Sequence, residues 1–113
     1  ISLLDKYKDE EDATFGAELF DAAIEHRYEY RELINRFINN QNWEIERIPF
    51  MDIVIMITAI TELVAYPNIP VAVTMNEYVE LANNYSTSKS GQFVNGILYS
   101  VATYLKNNNV IYK

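Results

Sequence analysis

Residues 50–66 carry apolar side chains around almost the whole circumference of the segment when it is drawn as an α-helix. These side chains are Met51, Ile53, Val54, Ile55, Met56, Ile57, Ala59, Ile60, Leu63 and Val64. A helix that is apolar on every side is stable in water only when other helices cover it. The segment therefore predicts the central helix of a bundle, with Pro49 at its start and Pro67 and Pro70 after its end.

Segments on both sides of this central helix have apolar residues at spacings of three and four. Residues 13–39 predict one long amphipathic helix, and residues 93–105 predict a last helix. Thr74 and Glu77 have the spacing of a capping box, which predicts a helix that starts directly after Thr74. No segment alternates in the manner of a strand, so we expect an all-α fold, an irregular bundle of about five helices.

The remaining segments are short and polar. Residues 43–47 indicate a short helical turn, and residues 86–92 indicate a loop of small polar residues. We expect residues 1–12 to be a charged leader, residues 13–106 to form the helical domain, and residues 107–113 to be a polar C-terminal tail.

The charge of the chain is distributed unevenly. The net charge is −7, but the first 32 residues hold ten of the 16 acidic residues. After Glu80 there is no acidic residue, and this end carries Lys89, Lys106 and Lys113. Binding to phosphates requires clustered lysine and arginine, so this end of the chain could tolerate RNA. The alternative is that a tail with few acidic residues, which is common, has no such role.

Several kinds of chemistry lack the residues that they require. The chain has no cysteine and a single histidine, His26, which lies among charged residues and is expected to be solvated or salt-bridged. Its three glycines do not form a phosphate-binding loop. We therefore expect no catalytic residue, no metal site and no cofactor. The lack of cysteine suits a reducing compartment, and we expect a cytoplasmic protein.

Two acidic residues of the central segment are candidates for specific roles. Glu62 interrupts the apolar segment, and because an unpaired buried charge is costly, we expect it to accept hydrogen bonds near the start of the next helix. A role in partner binding is the alternative. Asp52 lies in the first turn after Pro49, where the helix dipole favours an acid, and it could also contact a partner.

Phe93 and Lys89 are candidates at the start of the last helix. Phe93 could anchor this helix in the core or stack on an unpaired base. Lys89 could contact a phosphate, as any exposed lysine can. From these residues alone the chain is interpreted as a helical interaction domain.

Several sequence blocks between residues 13 and 105 occur in an order that indicates a family. The blocks are residues 43–48 (WEIERI), 56–63 (MITAITEL), 69–71 (IPV), 76–77 (NE), 80–82 (ELA) and 93–98 (FVNGIL). In this order they resemble the NusB family of transcription antitermination factors, whose pattern is similar to I-P-x-x-V-x-I-N-E-x-x-E-L-A followed by F-V-N-G-x-L. The chain resembles the C-terminal part of the longer NusB proteins of Bacteroidetes-type bacteria.

The resemblance implies a NusB-like fold and a role in transcription of ribosomal RNA operons. It implies binding to the boxA element of nascent RNA together with NusE, a small-subunit ribosomal protein, in the RNA polymerase elongation complex. Asp52 matches an acidic position that faces NusE, and Lys89 and Phe93 match positions beside the RNA, although the family often has an acid where Lys89 stands. Nothing before Ala13 resembles the Arg-rich first helices of the family, so we expect these helices to be absent.

Two alternatives remain at this point, together with a prediction of self-association. The chain could be the NusB-like domain of an rRNA cytosine methyltransferase, or a helical assembly domain that does not bind RNA. Without the first helices of the family, the apolar stripe of residues 13–39 has no cover. We therefore predict a homodimer formed through Phe15, Leu19, Phe20 and Ile24.

Overall fold

The computed structural model describes residues 10–40, 48–85 and 89–113 of the chain. Within these residues there are five helices and no strand, which confirms the all-α prediction. The helices are α1 (Glu10–Glu25), α2 (Arg27–Asn40), α3 (Phe50–Ala65), α4 (Val71–Tyr85) and α5 (Ser90–Asn107). The turn expected at residues 43–47 lies outside the described residues, as does most of the charged leader.

Helix α3 is the centre of the bundle, as its sequence predicts. It packs against all four of the other helices. Its buried side chains are Asp52, Ile53, Ile55, Met56, Ala59, Ile60, Thr61, Glu62 and Leu63. Proline at position 49 directly precedes the helix, and the Asp52 N–H donates to the Pro49 carbonyl (3.0 Å) to begin the helical bonding.

The prediction of one uninterrupted helix over residues 13–39 is wrong, because the helix breaks at His26. The break is limited to His26, which still makes hydrogen bonds of helical spacing on both sides. Its N–H donates to the Ala22 carbonyl (3.1 Å), and its carbonyl accepts from the Tyr30 N–H (3.0 Å). The two halves have different neighbours, since α1 packs on α3 whereas α2 packs on both α3 and α5. A continuous apolar stripe in the sequence does not reveal this division.

The capping-box interpretation of Thr74 is also wrong. Helix α4 begins at Val71, and the Thr74 N–H already makes a helical bond to the Pro70 carbonyl (3.2 Å). The Thr74 hydroxyl donates instead to the side chain of Glu62 on α3. A residue that suits a cap in isolation is thus used here for a contact between helices.

The last helix begins at Ser90, three residues before the predicted start at Phe93, so that residues 90–92 belong to the helix and not to the loop. Helix α5 packs against α2, α3 and α4. Gly91 lies at the contact with α4, where an added Cβ atom would overlap the side chain of Asn83. The start of α5 is therefore held close to the end of α4.

The end of the chain folds back onto the bundle. Asn109 has a φ of 59°, a left-handed conformation that asparagine tolerates, and the N–H of Val110 then donates to the Leu105 carbonyl (2.9 Å). The side chain of Ile111 is buried. The Lys113 ammonium donates to the carbonyls of Tyr66 (2.8 Å) and Ile69 (2.7 Å), which joins this end to the α3–α4 connection. The predicted boundary of a polar tail at residue 107 stays a prediction.

None of the described helices is long and apolar enough to span a membrane.

Candidate nucleic-acid and protein interfaces

Glu62 is a buried carboxylate that holds two helices together. It is only 2% exposed, and its two oxygens each accept one hydrogen bond: Oε1 from the Thr74 hydroxyl (2.9 Å) and Oε2 from the Tyr78 hydroxyl (2.9 Å). The expectation that it accepts bonds near the start of the next helix is confirmed. Sequence reasoning missed Tyr78, although it lies one helical turn after Thr74 and therefore on the same face of α4.

The carboxylate of Glu62 also acts on groups beyond its hydrogen-bond partners. Burial raises the pKa of the Tyr66 hydroxyl above its usual value, and the negative charges of Glu18 and Glu62 add to this rise. Burial lowers the pKa of the Lys113 ammonium, while the charge of Glu62 opposes this change. Glu62 is thus near the site where the C-terminal end meets the α3–α4 connection, and this arrangement explains its place in an apolar helix.

Asp52 lies in the first turn of α3, as predicted, but its side chain is only 1% exposed. Among the residues that the structure describes, its Oδ1 atom has no hydrogen-bond partner. The exposed surface of this turn is formed by its neighbours Phe50 and Met51. A direct contact between Asp52 and a partner stays a prediction, and sequence reasoning could not reveal the burial because it depends on how α3 is covered.

Lys89 and Phe93 lie together at the start of α5. Lys89 is exposed at the residue before the helix, and its carbonyl accepts from the Phe93 N–H (3.3 Å). The Phe93 ring is half-buried and packs against the core, so it anchors the helix and still presents part of its surface to solvent. Asp52 lies on a different helix, α3. The roles of Lys89 and Phe93 in RNA binding stay predictions.

The outward side of α5 continues from this end as a polar surface, which we call the α5 face. Its side chains are exposed at intervals of three and four residues, which places them on one side of the helix. The members of the α5 face are Gln92, Asn95, Tyr99, Thr103 and Lys106. None of them is acidic, and the Tyr99 ring is 66% exposed.

A second surface, the apolar face, lies where α1 and α2 meet α3. Its members are exposed large apolar side chains, namely Phe20, Ile24, Tyr28, Phe50, Met51 and Val54. Most of them line a groove of about 250 Å³, which Arg27 and Arg31 also line. Of these six members, the sequence predicts only Phe20 and Ile24.

Phe15 and Leu19 do not belong to the apolar face, contrary to prediction. Leu19 is buried, and the Phe15 ring packs on the Tyr66 ring with 4.7 Å between the ring centroids. The prediction missed Phe50, Met51 and Val54, because the all-apolar sequence of α3 does not indicate which of its sides remains open.

His26 lies at the break between α1 and α2. Its Nδ1 atom is 3.2 Å from Glu29 Oε2, and its ring stacks on that of Tyr30 with 5.5 Å between centroids. These contacts agree with the solvated or salt-bridged histidine that the sequence predicts. In the part of the chain that the structure describes, no three acidic, histidine or cysteine side chains come together as metal ligands would.

A helical bundle with one apolar face and one acid-free polar face defines a helical recognition domain. Residues 2–103 match the model of the NusB family, and the chain belongs to that family. The match begins before Ala13 and so extends further toward the N-terminus than the resemblance in the sequence blocks.

Individual relatives agree with this assignment. The chain is 39% identical over 87 residues to the transcription antitermination protein NusB of Dictyoglomus thermophilum, covering 77% of this chain and 59% of the relative. It is 46% identical over 77 residues to that of Methylacidiphilum infernorum, covering 68% and 52%. The solved structure of T. maritima NusB superposes with a TM-score of 0.77 at 30% identity, covering 84% of this chain and 66% of that one.

The chain spans somewhat more than half the length of the curated relatives that it matches. These relatives are named as transcription antitermination proteins and not as enzymes.

Proposed function

We propose that the chain acts in transcription antitermination on ribosomal RNA operons and binds boxA RNA together with NusE. Membership of the NusB family, over nearly the whole chain, is the observation that carries this proposal. Lys89, Phe93 and the acid-free end of the chain support RNA binding there, because phosphates avoid carboxylates. In this proposal the protein is a binding module in the cytoplasm, and RNA polymerase in elongation is its wider partner.

The proposal is tested by the binding of labelled boxA RNA to the chain, to NusE and to both proteins mixed. We expect the mixture to bind more tightly than either protein alone and more tightly than it binds RNA of scrambled sequence. Because phosphate contacts release counterions, affinity should fall steeply as salt is added. Equal binding of boxA and scrambled RNA, or no gain from NusE, would contradict the proposal.

Two variants separate the contributions of the candidate residues. Lys89→Gln removes an exposed charge and should weaken RNA binding without changing the melting temperature, whereas Arg31→Gln on α2 is the matched control and should leave RNA binding unchanged. Asp52→Asn removes the buried carboxylate with little change in volume. If Asp52 supports the NusE surface, this variant should bind NusE more weakly and remain folded.

We also propose that two copies of the chain associate through the apolar face. The groove and its exposed rings form a surface that water solvates poorly. Arg27 and Arg31 line this groove, whereas Glu29 and Glu32 line a different pocket beside Tyr104, so the charged residues of α2 at the groove are the two arginines. The same apolar face of a second copy can cover this face in a twofold pair.

A further inference from the structure

We infer that the α5 face binds unpaired RNA that extends beyond the Lys89–Phe93 end of the helix. This inference rests on the proposed function, because it concerns RNA that is already bound by the chain. It assigns a binding role to Gln92, Asn95, Tyr99, Thr103 and Lys106. The sequence resemblance implies an RNA contact only at Lys89 and Phe93.

The exposed residues of α5 form one continuous row along the helix, which an RNA strand could follow. The exposed positions run from Lys89 through Tyr99 to Lys106 on one side of the helix, with buried positions such as Val94, Ile97, Leu98 and Val101 on the other side. At 1.5 Å per residue the two lysines are about 25 Å apart along the axis. Such a length accommodates several nucleotides and not a single ion.

The side chains of this row are of the kinds that bind the bases and phosphates of single-stranded RNA. The Tyr99 ring is free to stack on a base, which is the main source of affinity in proteins that bind single strands. The amides of Gln92 and Asn95 can donate and accept at base edges, and Lys89 and Lys106 can contact phosphates at the two ends. The Thr103 hydroxyl donates to the Tyr99 carbonyl (2.9 Å), so its oxygen is oriented with its acceptor side outward.

The same features favour RNA over a protein partner. Protein interfaces have an apolar centre, and the chain offers such a centre at the apolar face on α1, α2 and α3. The α5 face has no exposed aliphatic side chain, and Tyr99 is its one large ring. With no acidic residue after Glu80, this helix is also the part of a chain of charge −7 that repels phosphates least.

The test compares three RNAs on the chain mixed with NusE: boxA RNA alone, and boxA RNA lengthened at the 5′ end or at the 3′ end by about eight unpaired nucleotides, a length typical of single-strand sites. We expect the wild-type mixture to bind one lengthened RNA more tightly than the short one. Tyr99→Ala should weaken binding of that lengthened RNA about tenfold, as expected for loss of one stacked base, and leave the short RNA unaffected. Lys106→Gln should lower the salt dependence of the lengthened RNA by about 0.7 in log–log slope, as expected for one lost phosphate contact.

Control variants show whether the effect belongs to the α5 face. Tyr112 is 88% exposed and lies outside both faces, so Tyr112→Ala should bind the short and the lengthened RNAs as the wild type does. Crosslinking from 4-thiouridine placed in the added nucleotides should label α5. Because the Tyr99 side chain is exposed, Tyr99→Ala should melt at the wild-type temperature.

The outcomes separate this inference from the proposed function. If the short RNA binds and its lengthened forms bind no more tightly, or if Tyr99→Ala and Tyr112→Ala behave alike, the inference is overturned and the proposed function stands. If the short boxA RNA binds no better than scrambled RNA, the proposed function fails and the inference fails with it.

Discussion

Glu62 shows how one residue can join distant parts of the chain. It lies in an otherwise apolar helix, yet its two oxygens are matched by two hydroxyls of α4, and its charge also acts on Lys113. An unpartnered carboxylate at 2% exposure would destabilise the fold by several kcal/mol. The pairing with Thr74 and Tyr78 instead fixes the position of α4 relative to α3, which a purely apolar contact would specify less strictly.

We therefore expect Glu62→Gln to lower the free energy of unfolding by about 1–3 kcal/mol, because both hydroxyls lose a charged acceptor and one must face an amide donor. Tyr78→Phe should cost a similar amount, since it leaves Oε2 without a donor. Urea unfolding measures both changes. The double variant should cost less than the sum of the single variants, because the two side chains contribute to one interaction.

Glu80→Gln, at an exposed position on α4, is the matched control for Glu62→Gln and should change the stability by less than about 0.5 kcal/mol. Equal stabilities of the Glu62 and Glu80 variants would show that the buried hydrogen bonds contribute nothing.

At the scale of a helix, α5 contains two glycines in different surroundings. An added Cβ atom at Gly96 meets no atom of the described residues within 4 Å, whereas one at Gly91 overlaps the side chain of Asn83 on α4. Gly96→Ala should therefore raise the free energy of unfolding by about 0.5–1 kcal/mol, the usual gain of alanine over glycine within a helix. Gly91→Ala should gain less or lose stability. Thermal unfolding compares the two variants.

The origin of this difference is tested by removing the obstacle. In an Asn83→Ala background, Gly91→Ala should be more favourable than in the wild type, because the side chain that it overlaps is gone. If Gly91→Ala has the same effect in both backgrounds, the contact with Asn83 is not what requires glycine at this position.

The centres of the helices could be predicted from sequence, and their ends could not. The apolar pattern indicates α3 and α5 because burial of one side dominates the energy of a helix. The break at His26 and the start of α4 at Val71 depend on which neighbour each turn contacts. Thr74 illustrates the difficulty, since the same hydroxyl can cap its own helix or bond to Glu62 on another.

The candidate sites follow the same division. Lys89 and Phe93 are only four residues apart in the sequence, but the helical turn that joins them was predicted as a loop. The burial of Asp52 and the exposure of Phe50 follow from how the start of α3 is covered, and two such close positions in one apolar segment cannot be told apart by pattern.

At the scale of the whole molecule, the α5 face and the apolar face differ in their chemistry. The acid-free side of α5 lies on one part of the bundle, and the apolar face lies on another, formed by α1, α2 and α3. Because different helices carry them, a second copy on the apolar face leaves the α5 face available. Association and RNA binding can then be altered separately by variants.

This separation makes the proposed dimer testable without disturbing the fold. Phe50 is 74% exposed in the monomer, so Phe50→Glu should be tolerated by the fold, but in a dimer it would bury a charge in an apolar contact. We expect sedimentation equilibrium to show a dimer for the wild type and at least about tenfold weaker association for Phe50→Glu, a loss of the size expected for an unpaired charge in an interface. Tyr112→Glu, at a position 88% exposed and outside the apolar face, should associate as the wild type does. A wild-type chain that remains monomeric at millimolar concentration would rule out the dimer, and equal weakening by both variants would place the contact elsewhere.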